Sequence, residues 1–142
     1  MNYYKEDRAC CAVLALQHAT DLSFEESQAL LAYFGRRKNR ATHISKIERA
    51  IRLTLSTKEK EEYKLSTVRR VIDDLPKSGV FIISVRGHIF TYKNGEIKDW
   101  LEDNSRKRVE RVWFVSAKKR NAKISRAIES GRKKLSKKVR KI

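Results

Sequence analysis

Residues 79–100, GVFIISVRGHIFTYKNGEIKDW, decide how the rest of this chain is interpreted. Apolar and polar residues alternate along the stretch, the pattern breaks at Asn94-Gly95, and it resumes afterwards. Asn and Gly tolerate the positive φ angles of a type I′ turn, and this pair between two such runs is a strong short-range hairpin signal. The sequence therefore predicts an antiparallel hairpin in which Lys93 lies opposite Glu96.

This register brings a histidine and a carboxylate close together. His88 is predicted to face Leu101, and Asp99 is its diagonal neighbour on the same face, roughly 7–8 Å away at the backbone. A histidine in such a pair can act as a base, and the acid can orient its ring. The group that they would activate must come from another part of the chain.

The residues before the hairpin predict helices. Residues 9–19 are apolar and rich in helix formers. Ser23 and Glu26 match a capping box at the start of a second helix, and Gly35 is suited to its C-terminal end. The basic loop 35–40 is either a solvated connection or a loop that contacts phosphate.

Two further helices are predicted before the sheet. Thr42 or Ser45 would cap the third helix, whose apolar pattern continues to Leu55. The charged residues 58–62 follow as an exposed linker or helix surface. Residues 68–75 form a short helix, after which the apolar period changes from 3.6 residues to 2.

A final strand is predicted at residues 109–115. Helices followed by antiparallel strands are typical of an α+β domain. The 142 residues, 40% of them apolar, suit one domain with a modest core. We therefore expect an α+β domain at residues 1–116 and a separate basic tail at residues 117–142.

The positive charge is concentrated in this tail. The chain carries a formal net charge of +17, and residues 117–142 contain a single acid, Glu129. Three interpretations are open for the tail: a nucleic-acid-binding arm, a helix that docks on an acidic partner or an anionic membrane surface, or a disordered segment. The twelve basic residues of the tail are Lys118, Lys119, Arg120, Lys123, Arg126, Arg132, Lys133, Lys134, Lys137, Lys138, Arg140 and Lys141.

The tail also has a helical pattern. Apolar residues recur on one stripe that is interrupted at Gly131. The members of the stripe are Ile124, Ile128, Leu135, Val139 and Ile142.

Other classes of protein are not indicated. No apolar run approaches the roughly 20 residues of a membrane span, and no signal-peptide pattern opens the chain, so we expect a cytoplasmic protein.

The adjacent Cys10 and Cys11 are poorly placed to bond to each other, which favours free thiols. The three histidines and two cysteines show no CxxC or HxxxH spacing, so no metal or other cofactor is predicted. His18 is assigned to packing or to the surface, and His43 to an exposed loop.

A cysteine at a helix N-terminus can be a nucleophile. The helix dipole and the unpaired backbone N–H groups favour the thiolate, and the same groups can contribute to an oxyanion hole. Cys10 and Cys11 both lie in the first turn of the first predicted helix. With His88 as base and Asp99 as its orienting acid, either thiol would support acyl transfer, most often peptide or isopeptide hydrolysis.

The order of these residues resembles papain-like cysteine peptidases and, more closely, small phage-encoded proteins assigned as cysteine peptidases. In that group a cysteine opens a helix ending in Ala-Thr, a helix like SFEESQALL and a Gly-Arg-Arg loop follow, and Arg-Gly-His precedes Asp-Trp. The resemblance covers about residues 7–115 and leaves out the tail. The matching segments are residues 11–20, 23–31, 35–40, 85–88 and 99–100.

The resemblance implies a papain-like fold in which N-terminal helices pack on a small antiparallel sheet. It assigns Cys11 as the nucleophile, with Cys10 as the alternative. His88 would be the base and Asp99 the acid that orients it. The group usually carries Asn-Asp directly before the cysteine, whereas Asp7 stands four residues earlier here, so no side chain is assigned to the oxyanion hole. A phage origin would place the protein in the host cytoplasm or on the virion.

Two functions are therefore expected from different classes. The first is a thiol-dependent peptidase or related acyl-transfer hydrolase that acts on a peptide or protein. The second is a catalytically inactive protein of the same fold that binds nucleic acid or a virion through its basic tail. In the second case the cysteines are inert core residues, and His88 and Asp99 are ordinary residues of the sheet.

Overall fold

A computed structural model describes residues 10–98 and 105–139. Over these residues the chain forms an α+β structure with five α-helices and a five-stranded antiparallel sheet, which confirms the predicted class. The helices are α1 Cys11–Ala19, α2 Phe24–Tyr33, α3 Ile44–Thr54, α4 Val68–Asp74 and α5 Ala122–Val139. The strands are β1 Leu55–Glu59, β2 Val80–Val85, β3 His88–Lys93, β4 Glu96–Lys98 and β5 Val109–Ala117. None of the described helices is long and apolar enough to cross a membrane.

Local hydrogen bonds at the helix ends explain where the helices begin. The capping box of α2 is present: the Glu26 backbone N–H donates to Ser23 Oγ, and the Ser23 N–H donates to the Glu26 carboxylate. The cap of α3 differs from the prediction of Thr42 or Ser45. His43 is the N-cap instead, because its Nδ1 accepts from the Ser45 backbone N–H at 3.2 Å.

The sheet has the strand order β1-β5-β2-β3-β4. The predicted hairpin between β3 and β4 is confirmed in its turn and its register, because Lys93 pairs with Glu96 and both Asn94 and Gly95 have positive φ. A second tight turn, however, divides what the sequence presents as one strand. Val85 pairs with His88, and Gly87 (φ 76°) lies in the turn between them.

Strand β1 corrects another expectation. Residues 55–59 form an edge strand paired with β5, whereas we expected the third helix to reach Leu55 and an exposed linker to follow. The strand reads LSTKE, and only Leu55 is buried. Charged residues are common on edge strands because they discourage pairing with another chain, and here they conceal the strand pattern.

Helices cover both faces of the sheet. The larger core joins α1, α2, α3 and α5 to one face, and the smaller core joins α4 to the other. Successive residues of β2 enter opposite cores, Ile82 the larger one and Phe81 and Ile83 the smaller one. Apart from Ser84 the strand is therefore apolar, as expected when both faces of a sheet are covered.

The expectation of a separate tail at residues 117–142 is not met. Helix α5 packs on the domain, and Ile124 and Ile128 are buried in the same core as α1 and α2. Gly131 permits this approach, because a Cβ added there would lie 1.6 Å from the Ala29 carbonyl oxygen of α2. The apparent interruption of the apolar stripe is thus the point of contact between the two helices.

Candidate active site

Cys11 lies at the start of the helix that packs most directly on the sheet. It is the first residue of α1, Cys10 is the N-cap, and no side chain caps this end. The first-turn backbone N–H groups of a helix have no intrahelical partners, so they can donate to a nearby anion. The Cys11 side chain is half-buried, which leaves the thiol partly accessible.

His88 lies at the start of β3, immediately after the Arg86-Gly87 turn. The residue is only 7% exposed. Its ring stacks on that of Phe90, with 5.8 Å between the ring centroids and an interplanar angle of 27°. The strand and the stacked ring together fix the position of the imidazole.

Cys11 and His88 meet, although 77 positions separate them in the sequence. A hydrogen bond joins the Cys11 thiol to the His88 ring, and the backbone N–H groups of Ile89 and Ala12 also donate to the sulfur. Burial raises the pKa of Cys11, but the hydrogen bond and charge of His88, with the two backbone donors, outweigh that effect. The net pKa lies below the usual 9.0.

A buried threonine ties the two elements of the site together. Thr91 Oγ1 donates to the Ala15 carbonyl oxygen at 2.7 Å, and Thr91 is fully buried. Ala15 is one helical turn after Cys11, and Thr91 is three residues after His88. This hydrogen bond therefore fixes the position of α1 along β3.

The two cysteines have different environments. Cys10 is fully buried and belongs to the larger core, and successive helical residues point about 100° apart. Cys11 has the hydrogen bond to His88. The geometry therefore favours Cys11 over the alternative nucleophile Cys10.

Some of the predicted site residues cannot be placed. Asp99 lies outside the described residues, as does Asp7, so the orienting acid and any oxyanion-hole side chain before α1 remain predictions. The register next to Asp99 is nevertheless established, because Lys98 pairs with Thr91 as predicted.

The other histidine of α1 lies away from this site. His18 is near the C-terminal end of the helix, roughly 10 Å along its axis from Cys11. Burial lowers the pKa of His18, and Lys98 and Lys93 lower it further. In the part of the chain that the structure describes, no three His, Cys, Asp or Glu residues are grouped so as to hold a metal ion.

The predicted nucleic-acid-binding residues fall into three sets. One set contacts the domain: Lys118 donates to the Arg52 carbonyl, Arg120 pairs with Glu26, Arg132 with Glu25, and Lys134 Nζ donates to the Tyr33 carbonyl. A second set is exposed to solvent and consists of Lys119, Lys123, Arg126 and Lys133. The third set has side chains outside the described part of the chain and consists of Lys137, Lys138, Arg140 and Lys141.

Sequence reasoning missed several parts of the site. The backbone donors of Ile89 and Ala12 have no side-chain signature, and the Thr91 contact joins residues 76 positions apart. Phe90 could have been found, because period-2 alternation places it on the same side of β3 as His88.

Comparisons of this chain with protein-family models, curated proteins and solved structures give no match.

Proposed function

We propose that the chain is a thiol-dependent acyl-transfer hydrolase, most simply a cysteine peptidase, with Cys11 as nucleophile and His88 as base. The observation that carries the proposal is the Cys11–His88 hydrogen bond at a helix N-terminus, with the pKa of the thiol lowered despite its burial. A buried structural cysteine has no comparable need for an imidazole partner.

The positions of Cys11 and His88 suggest the following reaction steps. The Cys11 thiolate attacks the carbonyl carbon, and first-turn backbone N–H groups of α1 are suited to stabilise the developing oxyanion. His88, protonated at this stage, transfers its proton to the leaving amine as the C–N bond breaks. Water then attacks the thioester carbonyl carbon while His88 accepts a proton from it. The C–S bond breaks, the acid product leaves, and the Cys11 thiolate and protonated His88 are regenerated. Asp99 is proposed to orient the imidazole.

A peptidyl electrophile tests the nucleophile. Incubation with a peptidyl vinyl sulfone at neutral pH is expected to give a single covalent adduct on Cys11, located by intact mass and peptide mapping. Cys10→Ser should retain the adduct, and Cys11→Ser should abolish it. Equal slow modification of both thiols, or modification of Cys10 alone, would contradict the proposal.

The competing proposal is a binding protein of the same fold without catalysis. The observation that favours it is the set of exposed cations on α5, together with the formal charge of +17. This proposal predicts no selective reaction at Cys11, so the same electrophile distinguishes the two functions. The papain-like fold, a phage origin and a location in the host cytoplasm or on the virion remain predictions from the resemblance.

A further inference from the structure

Two basic segments that lie far apart in the sequence meet at one end of the α2–α5 pair. Lys134 Nζ donates to the carbonyl oxygen of Tyr33, the last residue of α2, at 3.0 Å, and it lies 5.7 Å from the centroid of the Tyr33 ring. The loop at residues 35–40 begins directly after this point. The basic half of α5 therefore lies beside the basic loop.

Neither segment contains an acid that would neutralise it. Residues 35–46 include five Lys or Arg and no Asp or Glu, and residues 130–142 include seven and none. Among the described residues, Arg132 is paired with Glu25 of α2 and with Glu129 of α5, whereas Lys133 has no ion pair. In the loop, Arg37, Lys38 and Arg40 are exposed, whereas Arg36 is buried.

The outward side of α5 continues this charge along the helix. Lys123, Arg126 and Lys133 are exposed and lie within about 80° of one another around the helix axis. They span about 15 Å along the axis. No ion pair engages them within the described residues. The exposed acid Glu129 lies on the same side, within about 60° of Arg126 and Lys133 around the axis, and it pairs with Arg132. We define the cationic surface as these three residues of α5 together with Arg37, Lys38 and Arg40 of the loop, which adjoins the C-terminal half of α5.

We infer that this cationic surface binds the phosphate backbone of double-stranded nucleic acid without sequence specificity. A row of exposed lysines and arginines neutralises phosphates and releases counterions, which makes such binding strongly salt-dependent. An amphipathic helix that inserts into a membrane surface needs a free apolar face. The apolar face of α5 is buried against α2, so the helix fits a phosphate backbone better than a lipid surface.

The surface can be tested with three charge-matched variants of the full chain. The loop variant is Arg37→Gln/Lys38→Gln/Arg40→Gln, and the helix variant is Lys123→Gln/Arg126→Gln/Lys133→Gln. The control removes three exposed cations in and after α4, the helix that packs on the other face of the sheet: Arg69→Gln/Arg70→Gln/Lys77→Gln. Binding to two short DNA duplexes of unrelated sequence is measured by fluorescence anisotropy over a range of salt concentrations.

The unmodified chain is expected to bind both duplexes equally. The loop and helix variants should each weaken binding by about tenfold or more, and the slope of log affinity against log salt should fall by about 1 for each phosphate that is no longer neutralised. The control should bind nearly as well as the unmodified chain. Equal weakening in the control, or no effect of the loop variant, would overturn the inference. So would binding to phosphatidylserine vesicles without binding to the duplexes. Because Cys11 and His88 are unchanged, none of these outcomes bears on the proposed peptidase.

Discussion

A cysteine that is largely enclosed by protein ordinarily has a raised pKa, because burial penalises the charged thiolate. At Cys11 the same penalty is the largest single effect, yet the His88 ring and two backbone N–H groups together outweigh it. The neighbouring Cys10 is fully buried and lies in the larger core. Two adjacent residues of one type therefore have different surroundings, and the difference follows from the direction in which each side chain points.

Thr91 is predicted to position the site without contacting substrate. Thr91→Val keeps the shape of the side chain but removes its hydrogen bond to Ala15, at a cost of about 1–2 kcal/mol in the free energy of unfolding. Without this bond α1 can shift along β3. We therefore expect slower alkylation of Cys11 by iodoacetamide and a higher midpoint in its pH profile.

Thr54→Val is the matched control for this prediction. Thr54 is also buried, but its Oγ1 donates to Ala50 within its own helix at 2.8 Å. The control should lose similar stability in urea unfolding and leave Cys11 reactivity unchanged. Equal effects of the two variants on Cys11 alkylation would show that Thr91 has only a structural role.

At the scale of elements, the contact between α2 and α5 depends on Gly131. Gly131→Ala would place a Cβ 1.6 Å from the Ala29 carbonyl oxygen, so the helices must move apart. Because the clash is with backbone, we expect an overpacking cost at the upper end of the usual range, about 3 kcal/mol. The better helix propensity of alanine offsets roughly 1 kcal/mol of this. The free energy of unfolding, measured in urea, should therefore fall by about 2 kcal/mol.

The adjacent residue provides a control for this substitution. Ser130 is exposed on the same helix, so Ser130→Ala gains helix propensity without a clash and should be neutral or slightly stabilising. Unchanged or increased stability in Gly131→Ala would mean that α5 does not pack closely on α2.

Local signals predicted some elements and failed for others. Asn94-Gly95 fixed the turn and register of the β3–β4 hairpin, and Ser23 marked the start of α2, because these residues act through their nearest neighbours. The turn at Gly87 was missed, because the residues before and after it predict one continuous strand leading to Asn94-Gly95. Strand β1 was missed because its pairing with β5 depends on residues more than 50 positions away.

At the scale of the whole molecule, the site and the basic surface both depend on contacts between distant segments. The α+β class followed from the order of periodic patterns, since helical periods precede strand periods along the chain. The meeting of Cys11 with His88 could not follow from periodicity, because it depends on how α1 docks on β3. The apolar stripe of residues 117–142 predicted a helix but not the surface that covers it, and only the packed structure places the basic half of α5 beside the loop at residues 35–40.

The pH dependence of Cys11 alkylation shows directly whether His88 activates this thiol. A lowered pKa means that the thiolate of Cys11 already forms at lower pH. Because the thiolate is the reactive form, the alkylation rate should reach half its maximum below pH 9.0. All variants carry Cys10→Ala, so that Cys11 is the remaining thiol. Rates of Cys11 alkylation by iodoacetamide are measured by mass spectrometry for this variant, for the same variant with His88→Ala, and for the control with His18→Ala. We expect a midpoint below 9.0 that moves upward in His88→Ala and stays in place in His18→Ala. A midpoint at or above 9.0 that is unchanged by His88→Ala would contradict it.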